Sequence, residues 1–172
     1  MIELFEETGV LPTVAEVAER AGISPRSVFR YFDDVDALTR AAIDSRFREA
    51  ISYAVLPLLP DDLDARIDVL ITTRANLYDF MGSTTRLVRI RLADNPLVAQ
   101  TVARSRNLMR MQLREVFGPE LDALGGEADM VLDLLDVLFG PESWSLLLET
   151  HHDHVDAARV VLAAGTRRLL GQ

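Results

Sequence analysis

The chain has 172 residues, a formal net charge of −9, no cysteine and no lysine, so all 18 of its basic side chains are arginines. That length fits one all-helical domain or a small headpiece fused to a larger body. The absence of cysteine excludes disulfides and thiolate metal sites. No apolar run approaches the ~18 residues of a membrane span, and the acidic start through Glu7 lacks the layout of a signal peptide. A soluble, cytoplasmic protein is expected.

Taken in chain order, punctuation predicts helices and almost no strand. Residues 1–8 read as a helix closed by Gly9, with Leu4 and Phe5 as its apolar pair. Thr13 caps a helix to about Arg20, and Glu16 three residues later completes a capping box. Ser24 caps the next, with Pro25 in its first turn, where a missing N–H costs nothing. Asp34 caps a long helix from about Val35 to Leu56, stopped by Pro57 and Pro60. Ile67, Leu70, Ile71, Arg74, Leu77, Tyr78 and Met81 form one helical face ending near Gly82. Ser83 to about Ala93 is a shorter helix. Val98, Val102, Met109, Leu113 and Val116 stripe a long one that ends at Gly118-Pro119. Further helices run from about Glu127 to Phe139, from Glu142 to Thr150, and from His154 to Leu170, the last capped by Asp153. The expected fold is all-α, with about nine or ten helices. It divides into a three-helix DNA-binding headpiece over residues 1–45 and a helical ligand-binding and dimerisation body over residues 46–172.

Pro12 to Phe32 carries the most specific signal. Ala18 supplies the small residue that a helix needs where a second helix crosses it. Gly22, four residues on, supplies the positive φ of the corner. Val17, Ala21, Ile23, Val28 and Tyr31 are expected where the two helices meet the rest of the headpiece. Such a helix-turn-helix pushes the start of its second helix into the major groove of DNA. The first 46 residues hold nine acids against five arginines, yet Arg20 to Phe32 holds three arginines and no acid. A local basic stripe can guide DNA binding on an acidic molecule.

Leu4-Phe5 with Gly9, Thr13-Val14, Val17-Ala18, Ala21-Gly22-Ile23-Ser24, Phe29 with Phe32, and Leu38 together resemble the amino-terminal domain of the tetracycline-repressor (TetR) family of transcriptional regulators. The likeness spans about residues 4–42, and the remainder is similar to the family only in architecture. It implies a dimeric, ligand-responsive regulator, most often a repressor, acting on a pseudo-palindromic operator. Three departures stand out. The usual Gly-Thr of the recognition helix is Arg26-Ser27. The lysine that usually grips phosphate is Val35, between Asp34 and Asp36. The family's first helix normally begins before the position of Met1, often behind a basic arm. The last two imply a weaker grip on the backbone and a shallower salt dependence.

At the exposed start of the recognition helix, Arg26, Ser27 and Arg30 are candidates for reading base edges, and Pro25 for touching a thymine methyl. Thr13, Ser24 and Tyr31 are candidates for phosphate contacts or caps, with packing between headpiece helices the alternative for Tyr31 and a solvated side chain that for Arg30. Leu77, Tyr78, Met81, Leu87, Ile90, Met109, Leu113, Phe117 and Trp144 either line an effector pocket or form a tight core. Arg89, Arg91, Arg106 and Arg110 lie on the middle helices, where a buried arginine would suit an anionic ligand. Val155, Ala158, Val161, Leu162, Gly165 and Leu169 either make a dimer surface or complete the monomer core. His151, His152, Asp153 and His154 are too closely spaced for one helical face, so no metal site is expected. No cofactor is expected, and no nucleophile–base pair or spaced carboxylate pair points to an enzyme. The alternative reading is a helical small-molecule binding or interaction protein with a degenerate headpiece.

Overall fold

The computed structural model describes residues 1–152 and 154–171. Eleven α-helices lie among them, with no strand: α1 (Ile2–Thr8), α2 (Val14–Arg20), α3 (Pro25–Phe29), α4 (Val35–Ala50), α5 (Leu63–Met81), α6 (Thr84–Leu92), α7 (Pro96–Val116), α8 (Gly118–Ala123), α9 (Ala128–Leu138), α10 (Pro141–Thr150) and α11 (Val155–Leu169). The all-α expectation holds. The additional helix is α8, where Gly118-Pro119 predicts only a stop. Pro119 instead sits in the first turn of a new helix, where it sacrifices no hydrogen bond. Buried Leu121 anchors that turn.

The second difference is α4, which ends at Ala50 rather than near Leu56 and continues only as a 3-10 turn over Ile51–Tyr53. Pro57 cannot donate to the carbonyl of residue 53 and keeps residue 56 out of helical backbone, but the α-helix has already ended at Ala50, before either restriction acts. Asp34 caps α4 as expected, its carboxylate accepting from the Ala37 N–H at 2.7 Å. The expected cap of α11, Asp153, lies outside the described residues; His154 stands at the N-cap position without a side-chain cap bond.

Contacts group the chain into two compact units, residues 1–51 with 81–103, and residues 52–80 with 104–172. This grouping differs from a division at residue 45, because α6 packs within the first unit against α1 and α4. Its Leu87 and Val88 join Phe5, Ile43 and Val98 in one apolar cluster. Arg86 lies over the Phe5 ring at 5.1 Å. Its Nη2 would stand 2.8 Å from any Cβ added at Gly9, whose φ of 67° already favours glycine. Arg91 pairs with Asp36 of α4 and with Asp94.

The second unit has the larger core, built around Leu70, Leu113, Phe117, Leu121, Leu135 and Leu162. Polar ties fasten its helices at the rim: Arg159 reaches Asp68 and Thr72, and Arg167 reaches Asp64, so α11 is bound along α5.

Candidate nucleic-acid interface

The corner between α2 and α3 is built from local rules. Thr13 Oγ1 accepts from the Glu16 N–H at 3.3 Å, while the Glu16 carboxylate accepts from the Thr13 N–H at 2.7 Å. These bonds satisfy helix-start donors reciprocally and hold the Glu16 carboxyl below its ordinary pKa. At the other end of α2, the Ile23 N–H bonds the Ala18 carbonyl and the Gly22 N–H bonds the Glu19 carbonyl. This is the paired 6→1 and 5→2 arrangement that closes a helix through a left-handed residue. Gly22 is that residue, at φ 67°. No heavy atom lies within 4 Å of where its Cβ would stand, so backbone conformation alone demands glycine there. Beneath the corner, Val14, Ala18, Val28 and Leu38 are buried together, with Val17, Phe32 and Val35 packed against them. Ile23 and Ala21, expected in this contact, are exposed instead, because the closing turn carries them past the crossing point.

Helix α3 presents its start to solvent. Ser24 caps it, accepting from the Ser27 N–H at 3.2 Å, and the two hydroxyls lie 2.9 Å apart. Ser24, Pro25, Arg26, Arg30 and Tyr31 are exposed and Ser27 is half-buried. Thr13 is also exposed. Among the described residues Arg26 has no side-chain hydrogen bond or ion pair, which leaves its five N–H donors available. Arg30 donates to the Tyr31 hydroxyl at 2.8 Å and stands 4.8 Å from that ring's centroid. Tyr31 is 71% exposed, which excludes headpiece packing as its role.

Two features narrow the basic stripe. Arg20 faces α1, with two bonds to the Glu7 carboxylate at 2.9 and 2.6 Å and Glu3 at 3.8 Å. Its hydrogen bond to Arg20 holds the Glu7 carboxyl below its ordinary value. Of the three arginines in the stripe, Arg26 and Arg30 are therefore the two without a carboxylate partner. The start of α4 also carries a carboxylate, since Asp34 accepts from the Ala37 N–H there, and its negative charge disfavours a phosphate at that end. The Asp34 cap is legible from residue spacing, whereas the Arg20 pairing is not, because it depends on how α1 crosses α2.

The pocket candidates fall in both units. Leu113, Phe117 and Trp144 belong to the core of the second unit, with Tyr78 packed against it, and Leu77 is buried. Met109 is half-buried in the same unit. Leu87 belongs to the cluster of the first unit, Met81 is buried there, and Ile90 is 53% exposed. Arg89 and Arg106 are exposed, Arg110 pairs with Asp133, and Arg91 is paired as described. The arginine most deeply buried is Arg74, on the face of α5 that otherwise carries apolar residues.

Among the dimer candidates, Ala158 and Leu162 are buried in the core of the second unit. Gly165 serves that core as well: a Cβ there would lie 3.2 Å from Leu138, so its size lets α11 approach α9. Leu169 packs against the same cluster, while Val155 and Val161 are exposed. Exposed Met130, Leu134 and Val137 lie one turn apart on α9, and Leu146 of α10 and Val160 of α11 are also exposed. His151 and His152 follow α10, His152 at a φ of 51°. No group of three metal-ligating side chains comes together among the described residues, and no helix among them is long and apolar enough to cross a membrane.

Residues 2–42 match the family model described as bacterial regulatory proteins, tetR family. The match covers α1 through the first half of α4, and with it the whole helix-turn-helix. Neither curated proteins nor solved structures give a match to the chain.

Proposed function

The chain carries the amino-terminal DNA-binding domain of the TetR family of transcriptional regulators, and from that premise we propose that it is a ligand-responsive repressor acting as a homodimer in the cytoplasm. Two copies of α3 would enter successive major grooves of a pseudo-palindromic operator. Arg26, with Ser27 and Arg30, would read base edges, and Pro25 would contact a thymine methyl. Thr13, Ser24 and Tyr31 would hold phosphates. The observation that carries this reading is the unpartnered Arg26 at the exposed start of a helix whose corner is fixed by Gly22.

The exposed apolar residues of α9, α10 and α11, with Val155 and Val161 among them, support a dimer surface in the second unit. A second copy would cover Met130, Leu134, Val137, Leu146 and Val160, which otherwise lose favourable burial of roughly 25 cal/mol per Å2. An effector held in the body would act by binding one conformation better than another. Leu77, Tyr78, Met109, Leu113, Phe117 and Trp144 lie in that body, and Met81, Leu87 and Ile90 lie in the first unit.

The pairing of Arg20 with Glu7 favours a second reading, a helical small-molecule binding protein whose headpiece has lost DNA affinity. Footprinting on the DNA upstream of the protein's own gene separates the two. A regulator protects a pseudo-palindrome of roughly 15–30 bp. Absence of protection at low salt, with the dimer intact, supports the binding protein instead.

A further inference from the structure

The arginines buried in this chain fall into two kinds. Arg66, in the second unit, is 8% exposed and paired with Glu120. Arg91, half-buried in the first unit, is paired with Asp36 and Asp94. Arg74 is 1% exposed and has no carboxylate partner among the described residues. Its Nη atoms donate to two neutral oxygens, Gln112 Oε1 at 2.8 Å and the Met109 carbonyl at 3.2 Å, and its Nε, like those of Arg66 and Arg91, has no acceptor. Tyr78, one turn along α5, spends its hydroxyl on the Phe139 carbonyl. Burial pulls the Arg74 guanidinium below its ordinary pKa, opposed by Tyr78 and by Asp136, which acts without forming an ion pair.

An uncompensated buried cation is costly. Taking a guanidinium out of water is repaid only by close charge pairing and complete hydrogen bonding. Arg74 has neither. The apolar neighbours on its own face, Leu70, Ile71 and Leu77, are buried and bring no charge. A carboxylate is the natural complement: it accepts two parallel N–H bonds from the guanidinium fork. It would displace the Gln112 side-chain oxygen and the Met109 carbonyl, both weaker acceptors for a cation. Gln112 would keep its other bond, from Nε2 to the Ala54 carbonyl at 2.7 Å.

We propose that Arg74 is the anchor for an anionic effector, an organic monocarboxylate with an apolar body, held between α5 and α7 in the second unit. The carboxylate would lie against the guanidinium and the apolar portion among the side chains of that core. This inference rests on reading the second unit as the effector-binding body.

The test uses the full chain and a matched pair of probes, octanoate and octan-1-ol, followed by the fluorescence of Trp144, the sole tryptophan, which is buried in the same core. Wild-type protein should bind octanoate saturably and at least tenfold more tightly than octanol. Arg74→Gln should bring that ratio to near one. Arg74→Lys keeps the charge but loses the fork, so it should retain a reduced preference, and it carries the test if Arg74→Gln does not fold. Equal binding of the two probes, no saturable octanoate binding, or an undiminished ratio in Arg74→Gln would overturn the assignment. The operator footprint is measured in parallel without probe. An intact footprint with no octanoate preference removes only the Arg74 anchor. A clear preference with no footprint removes only the regulator.

Discussion

The two compact units obey different rules. The first holds its helix-turn-helix on a small cluster of four buried side chains, and leans on a capping box, a left-handed glycine and two side-chain caps to fix the geometry. The second buries large apolar side chains from α5, α7, α8, α9, α10 and α11 in one cluster. Caps and turns are local, so a few residues at fixed spacing specify a surface that can be presented to DNA. A core is collective, so many sequences satisfy it and none of its residues announces a ligand.

The largest expected effect lies in the second unit. Phe117 is fully buried and packs at a tilt against Phe139, with centroids 6.4 Å apart. Phe117→Ala should cost about 3–5 kcal/mol in denaturant unfolding. A loss much below this would mean that the core is looser than its burial indicates, and the contrast with the first unit would weaken.

Tyr78 gives the next effect. Burial raises its phenol from 10.0 to about 12. A raised folded pKa contributes stability that is fully present below the unfolded value and lost as pH rises through the folded one. The protein should therefore lose on the order of 2–3 kcal/mol between pH 10 and 12 through this group. Unfolding of Tyr78→Phe across that window should lack this contribution; an unchanged alkaline limb would show that the phenol is solvated.

In the first unit, Gly22→Ala forces a side chain into φ 67°, at a cost of about 1–3 kcal/mol. The decisive reading is operator affinity, which should fall with headpiece stability although no side chain contacting DNA has changed. Full retention of both would remove the left-handed corner from the explanation. The smallest effect concerns Glu7→Gln, which weakens the hold on Arg20. If the released guanidinium neutralises one more phosphate, the log–log salt slope of operator binding should steepen by about 0.9. An unaltered slope would show that Arg20 cannot reach DNA even when released.

How much is legible in the sequence follows from the same contrast. The capping box at Thr13 and Glu16, the cap at Ser24, the turn at Gly22 and the buried Ala18 and Val28 are local features, and residue spacing locates each of them. Arg20 reads as part of a free basic stripe because its partner, Glu7, lies on another helix. Ile90 has the side chain of a pocket residue but faces solvent. Ala158, Leu162 and Gly165 carry the small and apolar character of a dimer surface, yet they serve the core beneath it. The α4 terminus shows the limit of reading a proline as the stop, since the helix ends at Ala50, well before Pro57. Arg74 is visible in the sequence as a charge within an apolar stripe, and only its partners distinguish it from Arg66.

The role proposed for Arg26 is to read DNA from the start of α3. Its most direct test is an anisotropy titration of the footprinted upstream duplex with wild-type protein and Arg26→Ala, at several salt concentrations. Arg26→Ala should weaken binding by about 1–3 kcal/mol and relax preference at one base step per half-site, with thermal stability unchanged. Equal affinity and equal sequence preference in the two proteins would contradict it.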